Sequence, residues 1–439
     1  MEISLPLIAV IGVGLFLILM FLRMHIGISL MIAGLVGITL SRGLPAALST
    51  IGTTVYRVGA SGYLAVIPLF VLMGILAGAG GVSKAAFSTF YKWFGRLPGG
   101  LAMATVSACA AFGAVCGDNI ATAATMCKAA LPEMRKYGYS DELSTGSIAA
   151  GGNLGILIPP STAFIIYGFV TQTAIGALFI AGILPGILLT AMFCIQIYLQ
   201  CKLNPALAQI APKITWKERL IATKGIVGIV IVFIIVMGGL LRGFFTPSEA
   251  GAVGAFAVLI VSLISRQTSW KVIGHSLLEA GKISAMIMLL IFGATIFSHF
   301  LTTTEIAQAF ANAIEEANLG PYVVMAIIIV LYLILGCITD IWAILIVTLP
   351  IFFPMMTALG FDPLHFGVLC VLAIMAGCIT PPVGVVVFSL GGMLRGEVPI
   401  YTIFRGCMPF VMTMVVCLVI LVAFPQISTF LPNLMIPFR

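Results

Sequence analysis

The chain has 439 residues, of which 61% are apolar and only 8% charged, with a mean hydropathy of +1.22. A soluble protein needs about a quarter of its residues charged to cover its surface. This composition therefore excludes a cytosolic enzyme, a secreted scaffold and a nucleic-acid binder; the solvent of the chain is lipid. The net charge of +7 is then a topology signal rather than a polyanion footprint. Ten cysteines without a C-x-x-C pair read as small core residues. Four histidines without an H-E-x-x-H arrangement argue against a metalloenzyme, and the lack of a G-K-S/T run argues against ATP as energy source.

In chain order, membrane crossings are predicted near 3–22, 26–41, 62–80, 145–169, 175–200, 225–241, 248–265, 283–301, 366–389 and 403–424. Most have the roughly 20 residues that a bilayer requires. The first lacks the basic start and cleavage site of a signal peptide and is counted as a span. Two further apolar stretches, 99–131 and 321–354, are too long for one helix. Each is interrupted by a small polar cluster, VCGDN at 115–119 and CITD at 337–340. Both read as re-entrant hairpins, whose non-helical tips must be buried in protein or face a watery cavity. Segments 45–58 and 270–282 are amphipathic, either surface struts or ordinary connecting helices.

Basic residues test this topology. With the hairpins not crossing, 17 of 21 Lys and Arg fall in loops 23–25, 81–98, 128–144, 201–224, 266–282 and 390–405. Only Arg42, Arg57, Arg242 and Arg439 fall on the other side. The basic side is cytoplasmic by the positive-inside rule, which leaves both termini periplasmic.

The two halves repeat. At an offset of 222 residues Asp118 meets Asp340, Pro132 meets Pro354, Gly155 meets Gly377, and Pro159-Pro160 meets Pro381-Pro382. Only eight of the 43 positions from 118 to 160 are identical, but those that match break or cap helices. Five crossings per half is an odd number, so the second copy enters from the opposite face. The fold class expected is an all-α polytopic membrane protein of two inverted repeats, 1–200 and 225–439, joined by a cytoplasmic linker at 201–224. Each repeat carries about five crossings, a re-entrant hairpin and a broken helix.

Inverted repeats whose helices break near mid-membrane are the build of secondary transporters. The crossing 145–169 contains GGNLGILIPPS at 151–161, and its counterpart contains GCITPPVG at 377–384. Proline pairs remove backbone donors, and the carbonyls released there need a partner such as a desolvated cation. Helix N-termini aimed at the same place favour an anion. Asp118 and Asp340, at the tips, are candidates for cation coordination or gating, or else for capping the returning helix. Asn119, Thr122, Asn153, Ser161 and Thr380 offer oxygen to an ion or to an unwound turn. Glu249 and Glu279 read as interfacial caps or pair members, and His299 and His365 as interfacial.

The runs FGAVCGDNIATA, GGNLGILIPPSTAFIIYG, LFIAGILPGILL and GCITPPVGVVVF resemble the large membrane subunit of tripartite ATP-independent periplasmic (TRAP) transporters, over essentially the whole chain. The resemblance implies a non-enzymatic, Na⁺-coupled secondary transporter of the bacterial inner membrane that moves by an elevator mechanism. Its implied cargo is a carboxylate solute such as a C4-dicarboxylate or a sialic acid. Its implied partners are a periplasmic substrate-binding protein and a small four-helix membrane subunit, here on a separate polypeptide. Na⁺ sites carried onto this chain fall at Gly117, Asp118 and Asn119 facing Asn153 and Gly155, and at Thr339 and Asp340 facing Gly377, Ile379 and Thr380. Substrate would lie between the tips, at Asn153, Pro159, Pro160, Ser161, Pro381 and Pro382. The family's commonest form is richer in serine at the first tip and before the break, so backbone carbonyls or Asn153 are expected to supply oxygen here. An elevator also divides the chain into scaffold helices (3–61 and 225–282) and a moving body (99–169 and 321–389). Alternatives are a stand-alone Na⁺- or H⁺-coupled divalent-anion carrier, an intramembrane aspartyl protease using Asp118 and Asp340, and a purely scaffolding membrane protein.

Overall fold

The computed structural model describes residues 4–22, 24–209, 215–264, 268–305 and 319–435. Arg23, Lys213, Arg266 and Arg439 of the charge count, and 210–214 of the linker, lie outside the described residues. The described chain is helical throughout. The first half runs α1 (Leu5–Phe21), α2 (Ile26–Arg42), α3 (Leu44–Gly59), α4 (Val66–Ala79), α5 (Val82–Phe94), α6 (Gly100–Cys116), α7 (Asn119–Lys136), α8 (Asp141–Asn153), α9 (Thr162–Thr171) and α10 (Ile175–Leu203). The second runs α11 (Trp216–Leu241), α12 (Pro247–Ile264), α13 (Trp270–Thr303), α14 (Pro321–Gly336), α15 (Ile341–Ala358), α16 (Pro363–Gly377), α17 (Val385–Met393), α18 (Ile400–Ala423) and α19 (Gln426–Met435). Six of these helices are each long and apolar enough to cross a bilayer, and α4 with α5 forms a pair bent by 62°. The protein is thus an all-α polytopic membrane protein.

Shifted by 222 residues, both bounds of α2, α6, α7, α8 and α9 fall within two residues of those of α12, α14, α15, α16 and α17. Local chemistry sets these bounds. Gly117 ends α6 in the left-handed region (φ 69°), and Asp118 opens α7 by accepting from the Ala121 amide at 2.7 Å. Ser140 opens α8, and Asp362, followed by Pro363, opens α16.

Three expectations change. Segment 270–282 is no separate strut: it is the start of the continuous 34-residue α13, because no proline or glycine pair interrupts it. Its first-half counterpart, α3, is separated from α4 by a 3₁₀ turn at Gly62–Ala65. The region 81–98, read as a loop for its charges, contains helix α5; its buried Val82, Ala86 and Phe87 recur at helical spacing, with Lys84 and Lys92 on the helix too. The linker is also shorter, since α10 reaches Leu203 and α11 starts at Trp216 with a Thr215–Glu218 capping box.

Glycine lets helix pairs approach to backbone contact, as membrane helices require in the absence of a hydrophobic drive. A Cβ on Gly293 of α13 would fall on the Gly27 carbonyl of α2, and one on Gly27 would lie 2.7 Å from the Leu289 carbonyl oxygen. Gly146 of α8 and Gly406 of α18 meet in the same way. We expect Gly293→Val to separate α2 from α13 at a cost of about 3 kcal/mol or more. Gly14→Ala, with open space around it, should leave the thermal midpoint of the purified protein unchanged. Equal midpoints for the two variants would contradict this packing.

The interior is densest around α8 and α16, in which every residue from Leu143 to Asn153 and from His365 to Gly377 is buried. Small side chains (STGSIAAGG in α8) allow neighbours to close on all sides. Nine of the ten cysteines are buried and Cys194 is half-buried, as expected of core residues.

Candidate functional site

The first tip sits between α6 and α7, facing the break between α8 and α9. Gly117 there has its carbonyl oxygen held by Thr162 of the break, through the amide at 3.1 Å and the hydroxyl at 2.9 Å. A Cβ on Gly117 would come 2.5 Å from the Pro160 carbonyl oxygen, so only glycine fits. Gly155 is equally constrained: a Cβ would stand 2.6 Å from both the Asp118 carbonyl oxygen and the Thr122 hydroxyl. Gly113 and Gly155 also meet backbone to backbone. The tip and the break therefore make one oxygen-lined cradle, in which Thr122 donates to the Asp118 carbonyl at 2.5 Å.

Asn153 lies at the centre, fully buried. Its Oδ1 accepts from Asn119 Nδ2 at 3.2 Å, and its Nδ2 donates to the Met375 carbonyl at 2.8 Å. Met375 is 222 residues further on, so the hydrogen bond joins equivalent positions of the two broken helices. Asn119 Oδ1 caps the Ile120 amide at 2.9 Å.

The second tip, Cys337 to Asp340, repeats the arrangement with other atoms. The Cys337 carbonyl accepts from Val383 at 3.1 Å and from Gly384 at 3.0 Å; Gly384 stands 222 positions after Thr162. Gly336 and Gly377 approach as Gly113 and Gly155 do, a Cβ on Gly377 coming 2.6 Å from the Gly336 Cα. Asp340 caps α15 through Trp342 N at 3.3 Å, and Thr380 Oγ1 donates to the Ala376 carbonyl at 2.7 Å. Ile379 is fully buried, so only its carbonyl could serve an ion. Thr339 is half-buried, its amide donating to Leu335 at 3.0 Å.

Each tip thus carries one carboxylate, and tip and break together present carbonyl and hydroxyl oxygens, a donor set suited to a hard cation and poor for a soft transition metal. Among the described residues no group of three or more His, Cys, Asp and Glu could hold a metal. The expected substrate positions divide. Pro159 and Pro160 are buried, as is Ser161, whose hydroxyl donates to the Ile156 carbonyl and accepts from Phe164 N at 3.2 Å. Pro381 and Pro382 are exposed. The proline pair is a cis peptide in both halves.

Four groups at the site escaped the sequence reading: Thr162, Trp342 and the carbonyls of Cys337 and Met375. Trp342 Nε1 lies 3.3 Å from Thr162 Oγ1 and so ties the second tip to the first break. Thr162 could have been found beside the proline pair; nothing in sequence marks the carbonyls. Further along the same bodies, Arg135 pairs with Glu397 at 2.8 Å and Asp141 at 3.1 Å, and Arg405 lies 3.8 Å from Glu142. Glu397 first, then Asp141, push the Arg135 pKa up. Exposed pairs of this kind contribute at most about 1 kcal/mol each, yet they join α7 and α8 to the segment around α18. Elsewhere, Glu249 caps Thr246 and Glu279 lies 3.7 Å from His275, both as expected. His365 is buried against Ser428 at 3.3 Å, and His299 is exposed.

Comparison with known proteins fixes the family. The profile of the tripartite ATP-independent periplasmic transporter DctM component matches residues 13–427. A C4-dicarboxylate TRAP transporter large permease protein of Pseudomonas aeruginosa is 34% identical over 371 residues, covering 84% of this chain and 86% of that one. A sialic acid TRAP transporter permease protein of Haemophilus influenzae is 31% identical over 422 residues, 96% of this chain and 68% of its own. The crystal structure of the YdaH transporter of Alcanivorax borkumensis superposes with a TM-score of 0.62 at 16% identity, over 88% of this chain and 90% of that one, a likeness of fold alone. With its polytopic helical build and its paired breaks, the chain belongs to the DctM family of TRAP transporter large permease subunits, and is a transport protein rather than an enzyme.

Proposed function

We propose that this subunit imports a small carboxylate solute, a C4-dicarboxylate or a sialic acid, driven by inward Na⁺ movement and delivered by a periplasmic binding protein. A small membrane subunit completes the wall. The observation that carries the reading is the pairing of two tips with two breaks, bridged by Asn153 to Met375 and by Trp342 to Thr162. Two equivalent sites of oxygen donors suit two coupled cations. In this reading the halves are inverted repeats, the tips are re-entrant, and both termini are periplasmic. The segments 99–169 and 321–389 move as one elevator body against a scaffold of 3–61 and 225–282. The Na⁺ ligands are drawn from Gly117, Asp118, Asn119, Asn153 and Gly155, and from Thr339, Asp340, Gly377, Ile379 and Thr380, mostly through backbone carbonyls and the two carboxylates. Asn153 has both amide atoms engaged, so its principal part is to hold the two sites in register.

Moving one net charge through 100 mV contributes about 2.3 kcal/mol; two Na⁺ make import of a dianion electroneutral, so that the Na⁺ concentration gradient drives it, and each further Na⁺ adds the potential. The test is uptake into proteoliposomes holding both membrane subunits, with the binding protein outside. Dependence on Na⁺ should be sigmoidal, with no effect of ATP. Uptake unchanged when choline replaces Na⁺ would refute the coupling.

A further inference from the structure

A cavity of about 330 Å³ lies between α3 and α13 on one side and α9 and α15 on the other. Its size is that of a small-molecule site, which runs from about 300 to 1,000 Å³. In the elevator reading, on which this inference rests, α3 and the cavity-lining part of α13 flank the moving body that contains α9 and α15. The cavity therefore sits where the two bodies slide. Its lining lies at Phe169 and Val170 of α9 and at Ile346 and Pro350 of α15, and these two helices run from it to the first break and to the second tip.

Its chemistry is one-sided. Arg57 and Ser61 line it from α3 and the turn after it, and Thr295, Ser298 and His299 from α13. Among the described residues no carboxylate lines it. Among the described residues Arg57 has no acidic partner, and the side chains of Ser61, Ser298 and His299 donate to no protein atom, whereas Gln172 beside them is committed to the Phe169 carbonyl at 2.7 Å. Arginine stays charged at any working pH and matches a carboxylate with two parallel donors. The imidazole of His299 and two hydroxyls add further polar groups.

The offset of 222 residues supplies a control within the molecule. The positions equivalent to Thr295, Ser298 and His299 are Met73, Leu76 and Ala77, and the position equivalent to Arg57 is Glu279. The repeat therefore does not impose this lining. The polar groups of α13 and the cation of α3 stand on one copy only; in the other, apolar residues replace the former and a carboxylate replaces the latter.

We propose that the cavity is a receiving site for a small carboxylate, held by Arg57 and His299 before it reaches the two tips. Binding there needs no Na⁺, since the ion ligands lie at the tips. Arg57 sets the affinity for an anionic group, and the sliding of the moving body past it transfers the solute to the site between the breaks.

Thiol labelling tests the site with defined probes. Ser298→Cys, in proteoliposomes containing both membrane subunits, is labelled with the anionic sulfonatoethyl and the cationic trimethylammonium-ethyl methanethiosulfonates. The parent protein, whose own cysteines are buried or half-buried, serves as background. Relative to a free thiol in solution, the anionic reagent should be favoured by about tenfold, and Arg57→Gln should abolish that preference while Arg57→Lys retains most of it. Millimolar succinate should slow labelling without Na⁺, and the Arg57→Gln carrier should show a raised KM for uptake. No anionic preference, a preference unaffected by Arg57→Gln, or no protection by succinate overturns the proposal. Anionic lipid headgroups present the same charge, so labelling is repeated in phosphatidylcholine and in phosphatidylglycerol vesicles. Slowing confined to phosphatidylglycerol would assign the cavity to lipid and overturn the solute assignment. Loss of Na⁺ dependence in the parent carrier would sink the coupled-import reading yet leave the labelling ratio as it is, so the two failures are distinguishable.

Discussion

Asp118→Asn and Asp340→Asn should each lower Na⁺-driven uptake by about 100-fold, the equivalent of about 3 kcal/mol of lost ion binding. Asparagine is chosen because it caps a helix about as well as aspartate does. The hydrogen bonds to Ala121 N and Trp342 N can then persist, and only the charge disappears. The variants thus separate the two roles that each carboxylate could have. If capping is the whole role, Asn is silent and Ala costs about 1 kcal/mol of stability. If the carboxylate holds a cation, Asn is as inactive as Ala, and the Na⁺ dependence of the residual uptake loses its sigmoidal shape because one of two coupled sites is gone. Wild-type uptake by both Asn variants would remove the ion sites from the tips.

The second large effect concerns which parts move together. A Cβ placed on Gly151 of α8 would stand 2.9 Å from Cys109 Sγ and 3.1 Å from Cys109 Cβ of α6, slightly closer than the roughly 3.5–4.5 Å between the Cβ atoms of a disulfide, so the two helices need to part by only a few tenths of an ångström to be joined. Gly151→Cys oxidised onto Cys109 joins two helices of the proposed moving body, and uptake should survive, within about threefold. Ser61→Cys paired with Val170→Cys, both lining the cavity between the two bodies, should behave oppositely. Bridged by a short bifunctional thiol reagent, this pair should halt uptake, and reduction should restore it. A body that carried its ion sites through lipid without a wall would lose several kcal/mol, so the arrest is expected to be complete. Uptake that tolerates both bridges equally would instead indicate a rocking bundle with the site fixed in depth.

What could be read from the chain alone follows from how the signals are encoded. Lipid as solvent, the apolar helices and the 222-residue offset rest on composition and on the spacing of helix breakers, which act locally; Gly117 stops α6 and Asp118 starts α7 whatever surrounds them. The same local rule failed where a helix carries charge on one face, as in α5, and where nothing breaks a helix, as in α13, because hydropathy windows average over faces and cannot see continuity.

The sequence by itself determined the solvent, the repeat and the positions at which helices must break, since each is a property of neighbouring residues. Only the tertiary structure decided that Asn153 is pinned between Asn119 and Met375, that Trp342 reaches Thr162, and that Arg57 and His299 share a cavity. These facts depend on a backbone carbonyl and on residues 34 to more than two hundred positions apart. A carbonyl belongs to every residue alike, so its use as a ligand or an anchor leaves no mark in the side-chain sequence until the fold brings its partner to it.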